Sequence, residues 1–300
     1  VATTGKAKAG PAELRVGSHI TSDLTLRSNT SRLLPQTFEG ASLGASFKNV
    51  LGLGYKRFDR SWYRDGVDRV HLTITNKDRR FAGTPDSDHL DLFTAGWKVN
   101  DRLKLRVEHA ELHDIYRQQV ASVAYRQPLP VGRLDTELRY YVSDDVGQAL
   151  AGVVDNRAVN ALVAWNVNGQ EFALAYQDMS GDSAMPFVGG TDGNVFNWTF
   201  INDFMERDER SWQARYQLDG KRIGIPGLKF LARYVKGDNA RPNTFAGEGR
   251  QWQRDFEIGY TFQSEALKDF SIRWRNGFFR SNYQRDAEEN RLMLVYSTTL

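Results

Sequence analysis

Across much of this 300-residue chain, apolar residues alternate with polar ones. Phe270, Ile272 and Trp274 interleave with Ser271, Arg273 and Arg275, and Phe256, Ile258, Tyr260 and Phe262 with Asp255, Glu257, Gly259 and Thr261. Trp212, Ala214, Tyr216 and Leu218 alternate with Gln213, Arg215 and Gln217. Leu134, Thr136, Leu138, Tyr140 and Val142 alternate with Asp135, Glu137, Arg139 and Tyr141. The run 290–300 sets Leu292, Leu294, Tyr296 and Leu300 against Arg291. A repeat of two belongs to an extended strand whose two faces meet unlike surroundings. On this pattern the chain holds fourteen strands: 12–18, 37–47, 50–58, 89–99, 102–113, 117–127, 133–143, 157–167, 170–178, 209–218, 227–236, 252–263, 269–280 and 290–300. Many are about ten residues long.

The connections fall into two alternating sets. One is short: Lys48-Asn49, Asn100-Asp101, 128–132, Asn168-Gly169, 219–226 and 264–268. Asn168-Gly169 has the residues of a type I′ hairpin, whose central positions both need positive φ. The other is mostly long: 19–36, 59–88, 144–156, 179–208, 237–251 and 281–289, with 114–116 the brief exception. Within 59–88, the alternating stretch 67–76 reads as a small hairpin arm. An up-and-down sheet puts alternate connections at opposite ends, so one end carries tight turns and the other elaborate loops. That is the layout of an antiparallel transmembrane β-barrel. Strands of this length, tilted near 45°, span a bilayer core, and a closed barrel is one of two backbones that lipid permits. A soluble sandwich has strands of about five or six residues and one dry inner face. The strands here are longer, and their second face is too charged for such a core.

Composition removes other classes. No apolar run approaches the roughly 18 residues of a transmembrane helix. The absence of cysteine excludes disulfides, thiolate metal sites and a cysteine nucleophile. Aromatic residues at 12% and mixed charge speak against disorder. A net charge of +3 gives no concentrated footprint for nucleic acid.

The two faces then follow from energy. Arginine at the lipid midplane costs roughly 2–4 kcal/mol, so Arg273 and Arg275 face inward while the aromatic and aliphatic residues face lipid. A lumen lined with ions holds water, because unpaired buried charges cost too much. A barrel of this many strands is also wide enough for a channel. Arg233 and Arg291 share the inward parity. Arg273 and Arg275 stand about 6.5–7 Å apart along their strand, within the Debye length of about 8 Å. An anionic group leaving one guanidinium therefore already feels the next. Guanidinium binds carboxylate through paired hydrogen bonds, which makes a carboxylate-bearing solute the natural cargo. The alternative is that these arginines pair with inward Asp255, Glu257 and others and brace the wall.

The stretches SRLLPQTFEG (31–40), AELHDIYRQQ (110–119), ERSWQARYQL (209–218), GIPGLKFLARYVKGDN (224–239), DFSIRWRNGFFR (269–280) and NRLMLVYS (290–297) resemble, in order, the OprD-type outer-membrane carboxylate channels, the Occ family of pseudomonads and their relatives. SRLLPQT and DIYRQ are the most diagnostic. The resemblance implies an all-β, 18-stranded transmembrane barrel in the bacterial outer membrane, a monomer or loose trimer amid outer-membrane lipid and lipopolysaccharide. Its first strands would be missing from this chain, so that residues 1–300 form one barrel domain. Residues 19–36 would be the inward constriction loop and 179–208 a long external loop. It further implies passive uptake of small carboxylates, amino acids or aromatic and cyclic acids, along a basic ladder facing an acidic pocket. By motif, the ladder comprises Arg32, Arg233, Arg273, Arg275 and Arg291, and the acidic side Asp192 and Asp203. At Gly259 some relatives place a lysine, so one rung is expected to be absent. Leu300 replaces the usual terminal aromatic.

Other motifs lead elsewhere less well. Gly40-Ala41-Ser42-Leu43-Gly44 fits G-x-S-x-G, but a nucleophile elbow needs a helix after the serine, and strand follows. The five histidines (19, 71, 89, 109, 113) suggest no triad beside Ser42. His109, Glu111 and His113 share a strand face but lack a further zinc ligand. Gly189-Gly190-Thr191-Asp192-Gly193 lacks the Lys-Ser/Thr of a P-loop. Asn197-Trp198-Thr199 matches a glycosylation pattern that a bacterial barrel does not use. The expectation is therefore a channel with no enzymatic activity, no cofactor, no metal and no nucleic-acid partner. The competing readings are an outer-membrane barrel hydrolase and a structural or adhesive barrel with binding loops.

Overall fold

The protein is described by a computed structural model over residues 3–32, 34–66 and 68–297. Its strands, in chain order, are β1 (Thr4–Ala9), β2 (Ala12–His19), β3 (Thr37–Phe47), β4 (Leu51–Trp62), β5 (Arg69–Val70), β6 (Leu72–Thr73), β7 (Asp86–Ser87), β8 (Leu90–Lys98), β9 (Leu103–Leu112), β10 (Tyr116–Pro128), β11 (Arg133–Asp145), β12 (Asp155–Val167), β13 (Gln170–Ser180), β14 (Arg210–Asp219), β15 (Leu228–Ala240), β16 (Gly249–Thr261), β17 (Phe270–Ser281) and β18 (Ala287–Tyr296). Two 3₁₀ turns, Lys77–Arg79 and Gly220–Ile223, are the only helical elements among the described residues. Long strands pair antiparallel with their sequence neighbours, in the order β1-β2-β3-β4-β8 and onward to β18. The meander follows from the sequence: no long strand has to leave its neighbour to bury its apolar face.

All fourteen alternating stretches are strands. β1 is an addition that alternation did not reveal. It pairs Gly5 with Val16 and Ala7 with Leu14, so its outward face carries only Gly5, Ala7 and Ala9, too small to give a pattern. The stretch 67–76 is not a hairpin of its own, because its alternate apolar residues are buried under other segments. Arg69–Val70 pairs with β4, Leu72–Thr73 with β7, and Ile74 bridges to Val188. Val67 and Leu300 lie outside the described residues, as does Leu33 within 19–36.

The tight turns have the expected chemistry. Asn168 and Gly169 lie at φ 48° and 78°, and Lys48-Asn49 adopts the same kind of turn with φ 50° and 56°.

Register fixes the faces. Leu218, Phe230, Ile258, Trp274 and Leu292 lie directly opposite one another across β14 to β18. Ile258, Trp274 and Leu292 are exposed, as an apolar side facing lipid must be. On this side Trp165, Phe172, Tyr216 and Phe230 form one run of ring contacts. Nearer the loops, Trp212, Tyr234, Trp252 and Phe278 form a second. The buried apolar residues sit on the other side, between the inward faces and the loops. One group includes Leu26, Phe38, Phe58, Leu72, Ile74 and Val188, and a second Leu24, Tyr141, Met179, Met185, Phe187 and Met205.

Candidate functional site

The inward faces of β14 to β18 carry a dense charged array. Across the strands Arg215 lies opposite Arg233, Arg233 opposite Asp255, Glu257 opposite Arg275, and Arg275 opposite Arg291. Arg275 donates through Nε and Nη2 to Glu257 Oε2 at 2.8 and 2.6 Å, and its guanidinium lies 3.8 Å from the Phe200 ring centroid. Glu257 also faces Arg273 at 3.7 Å. Arg291 donates to Glu289 at 2.8 Å, and Arg215 to Glu171 at 2.9 Å.

These arginines are not equally available. The Arg273 and Arg291 side chains are 43% and 42% exposed, whereas Arg275 is 20% and Arg233 10% exposed. Arg233 Nε donates to buried Asp255 at 3.0 Å, and its Nη1 donates to the Trp198 carbonyl at 2.7 Å. Both readings of the arginine run thus have a counterpart. Arg233 braces the wall and a loop, Arg273 and Arg291 keep half their surface open to water, and Arg275 lies between. Arg32 is exposed in the 19–36 segment.

Two long segments fold onto the inward faces of the strands. In 19–36, the Glu108 carboxylate on β9 accepts from the backbone N–H groups of Leu24 and Thr25 at 3.0 and 2.9 Å. Asp23 accepts from Arg106 at 3.0 Å and also pairs with Lys56 at 2.5 Å. In 179–208, Arg139 donates to the Asn194 carbonyl at 2.9 Å and faces the Phe196 ring at 4.2 Å. The Phe200 N–H donates to Asp255 at 3.3 Å, which fixes that loop on β16. The two segments also join each other. Asn29 Nδ2 donates to Asp192 Oδ1 at 2.8 Å, Gln36 Nε2 to the Gly189 carbonyl at 3.0 Å, and Asn194 Nδ2 to the Asp23 carbonyl at 3.0 Å.

The two sequence-assigned acids occupy different settings. Asp192 sits half-buried at the junction of the segments. Burial pushes its carboxyl above the usual carboxylate range, while Arg27 and Arg64 pull it back. Asp203 is 2% exposed. Arg80 donates to its two oxygens at 2.8 and 2.7 Å, and Lys77 lies 3.7 Å away. Although burial opposes it, Arg80 holds that carboxyl well below its ordinary value. Asp203 has no polar contact with an arginine of β15 to β18 among the described residues; it ties two loops together.

Arg80, Arg106, Lys56, Arg139 and Arg215 were not singled out by motif. Parity did mark Arg139 and Arg215 as inward. Arg80 has no sequence signal, because its partners lie more than a hundred residues away. A contact that sequence did not reveal concerns Ser42. Pairing of β2 with β3 brings His19 Nε2 to 3.0 Å from Ser42 Oγ. His19 Nδ1, however, contacts the Gly17 carbonyl at 2.9 Å rather than a carboxylate, and Ser42 sits within β3 rather than on an elbow before a helix.

Residues 1–300 match the family model for the outer membrane porins of the OprD family. The chain is 30% identical over 303 residues to the porin-like protein GalP of Pseudomonas putida, covering all of this chain and 71% of that protein. It is 28% identical over 297 residues to porin D of Pseudomonas aeruginosa, covering 90% of this chain and 66% of that protein. Among solved structures it resembles OccK5 (OpdH) of Pseudomonas aeruginosa, with TM-score 0.93 and 40% identity over 98% of this chain and 80% of that one. It also resembles Pseudomonas aeruginosa OpdK with vanillate, with TM-score 0.93 and 33% identity over 98% of this chain and 77% of that one.

Proposed function

The chain belongs to the OprD family of bacterial outer-membrane porins, and on that premise we propose that it admits small carboxylate-bearing solutes by passive diffusion along the arginines of its last strands. The observation that carries this reading is the half-open pair Arg273 and Arg291 flanking Arg275 on one inward wall. Each guanidinium retains donors not taken by Glu257 or Glu289, and each suits a carboxylate better than any other common anion apart from phosphate. The intervening carboxylates keep binding weak, as conduction requires: a solute must leave each rung as readily as it arrives.

In this reading Arg273, Arg275 and Arg291 are the rungs and Arg233 anchors the wall. Arg32 meets solutes before the narrowest point. The 19–36 and 179–208 segments form the constriction, and Asp192 supplies its acidic side. Asp203 acts at one remove, by holding the second segment in place. A solute structure supports the choice of cargo, since OpdK was solved with vanillate, an aromatic carboxylate. The assembly is read as a monomer or loose trimer.

Planar-bilayer recording and liposome swelling test this directly. Arg273→Ala with Arg275→Ala is expected to lower the anion preference read from the reversal potential in a salt gradient. It should also slow benzoate and vanillate entry severalfold, with single-channel conductance retained. An unchanged reversal potential in a folded double variant overturns the assignment.

A further inference from the structure

The outward face of β14 to β16 differs from much of this surface. Near the loop ends, several outward arginines have carboxylate partners on the same face. Arg57 meets Asp91 at 3.4 Å, Arg117 meets Asp144 at 3.8 Å, Arg157 meets Asp144 at 3.6 Å, Arg210 meets Asp238 at 3.3 Å, and Arg280 meets Asp286 at 3.4 Å. Arg254 and Lys236 are exposed and have no such partner among the described residues.

Their setting is aromatic. Along β16, Arg254 stands between outward Trp252 and Phe256, and across the sheet it lies opposite Tyr234 and Phe278. Its guanidinium is 5.2 Å from both the Phe256 and Phe278 ring centroids. Lys236 lies opposite Trp212 and Trp252. Below this pair the wall is hollowed. Ala214 and Ala232 floor a trough of about 640 Å³ walled by Leu174, Tyr234 and Phe256, with Arg254 at its loop-side rim.

A lone guanidinium in the lipid-facing band costs free energy unless an anion meets it. The trough below has the apolar lining of a slot for hydrocarbon. The loop side of an outer-membrane barrel faces the outer leaflet, whose glycolipid carries phosphate directly above its acyl chains. We propose that the outward face of β14 to β16 docks one phosphorylated glycolipid of the lipid A type. Its phosphate meets Arg254 and Lys236, and one acyl chain lies in the Ala214–Ala232 trough. Charge complementarity selects the head group and the alanine floor selects the chain.

Native mass spectrometry of the full-length porin, titrated with bis-phosphorylated lipid A, dephosphorylated lipid A and phosphatidylglycerol, tests this. The wild-type protein should retain one bis-phosphorylated lipid A, and dephosphorylation of the lipid should weaken retention. Arg254→Gln with Lys236→Gln should weaken it about thirtyfold, at the usual contribution of a basic residue near an anionic membrane surface. Ala232→Trp should weaken it by filling the slot with both charges intact. Heat-shifted gel mobility reports folding, and the wild-type comparison of the two lipid A forms needs no variant. Equal retention of the two lipid A forms, equal retention of phosphatidylglycerol, or an equal loss on Arg57→Gln would each overturn the proposal.

Discussion

The Arg80 guanidinium shows how much one side chain can hold. It is 4% exposed and bonded to both Asp203 and Glu206, and through them it joins the 59–88 and 179–208 connections. Breaking a buried pair by removing one partner costs about 3–5 kcal/mol, because the other charge is left uncompensated. Asp203→Asn should therefore raise amide hydrogen exchange in 181–206 by two orders of magnitude or more, while exchange in β14 and β15 stays as it was. A loop equally protected in the variant would show that the pair is dispensable. Nothing in the sequence announces this contact. Arg80 belongs to a stretch without periodicity, and its partners are distant in the chain. The inward parity of Arg273 and Arg275 could be read because lipid forbids the alternative. Which inward arginine would be consumed by a carboxylate could not, since that depends on register and on where a loop lands.

The 179–208 connection behaves as an element in its own right, held at its chain end by Glu209. That carboxyl is fully buried, accepting from Gln251 at 2.6 Å and from the Glu206 N–H at 3.1 Å, with Glu206, Asp203 and Tyr283 close by. Burial pushes it up to about 8. Between its ordinary value near 4.5 and 8, the docked loop keeps a proton that the released loop loses. Anchorage is then strongest below about pH 4.5 and weakens as pH rises through 8. Exchange rates in 203–208, corrected for intrinsic base catalysis, should climb across that window, and Glu209→Gln should flatten the climb. Strands were far more legible than this loop. Alternation located fourteen of them, and it failed at β1 because Gly5, Ala7 and Ala9 leave its lipid side nearly bare. Loops obey no period; their conformation here depends on Glu108, Asp255 and Arg139 reaching in from the wall.

For the whole molecule, an outward apolar surface and an inward charged one make a conduit whose selectivity is open to adjustment. Gly259 lies opposite Arg273, and a Cβ added there would sit 3.7 Å from Arg273 Cγ, an ordinary contact. Gly259→Lys should thus fold and add a cation to the wall, shifting the zero-current voltage further toward anions. No shift in a folded variant would place that position off the solute route. The ties between the 19–36 and 179–208 segments have a different character: Asn29 to Asp192, Gln36 to Gly189 and Asn194 to Asp23 all use amide donors, and two of the three end on backbone carbonyls. Dissolved electrolyte screens full charges much more than it screens such dipoles. In brine the arginines proposed as rungs should lose their grip on solutes while the two segments keep their spacing, leaving an unaltered sieve with a fading preference.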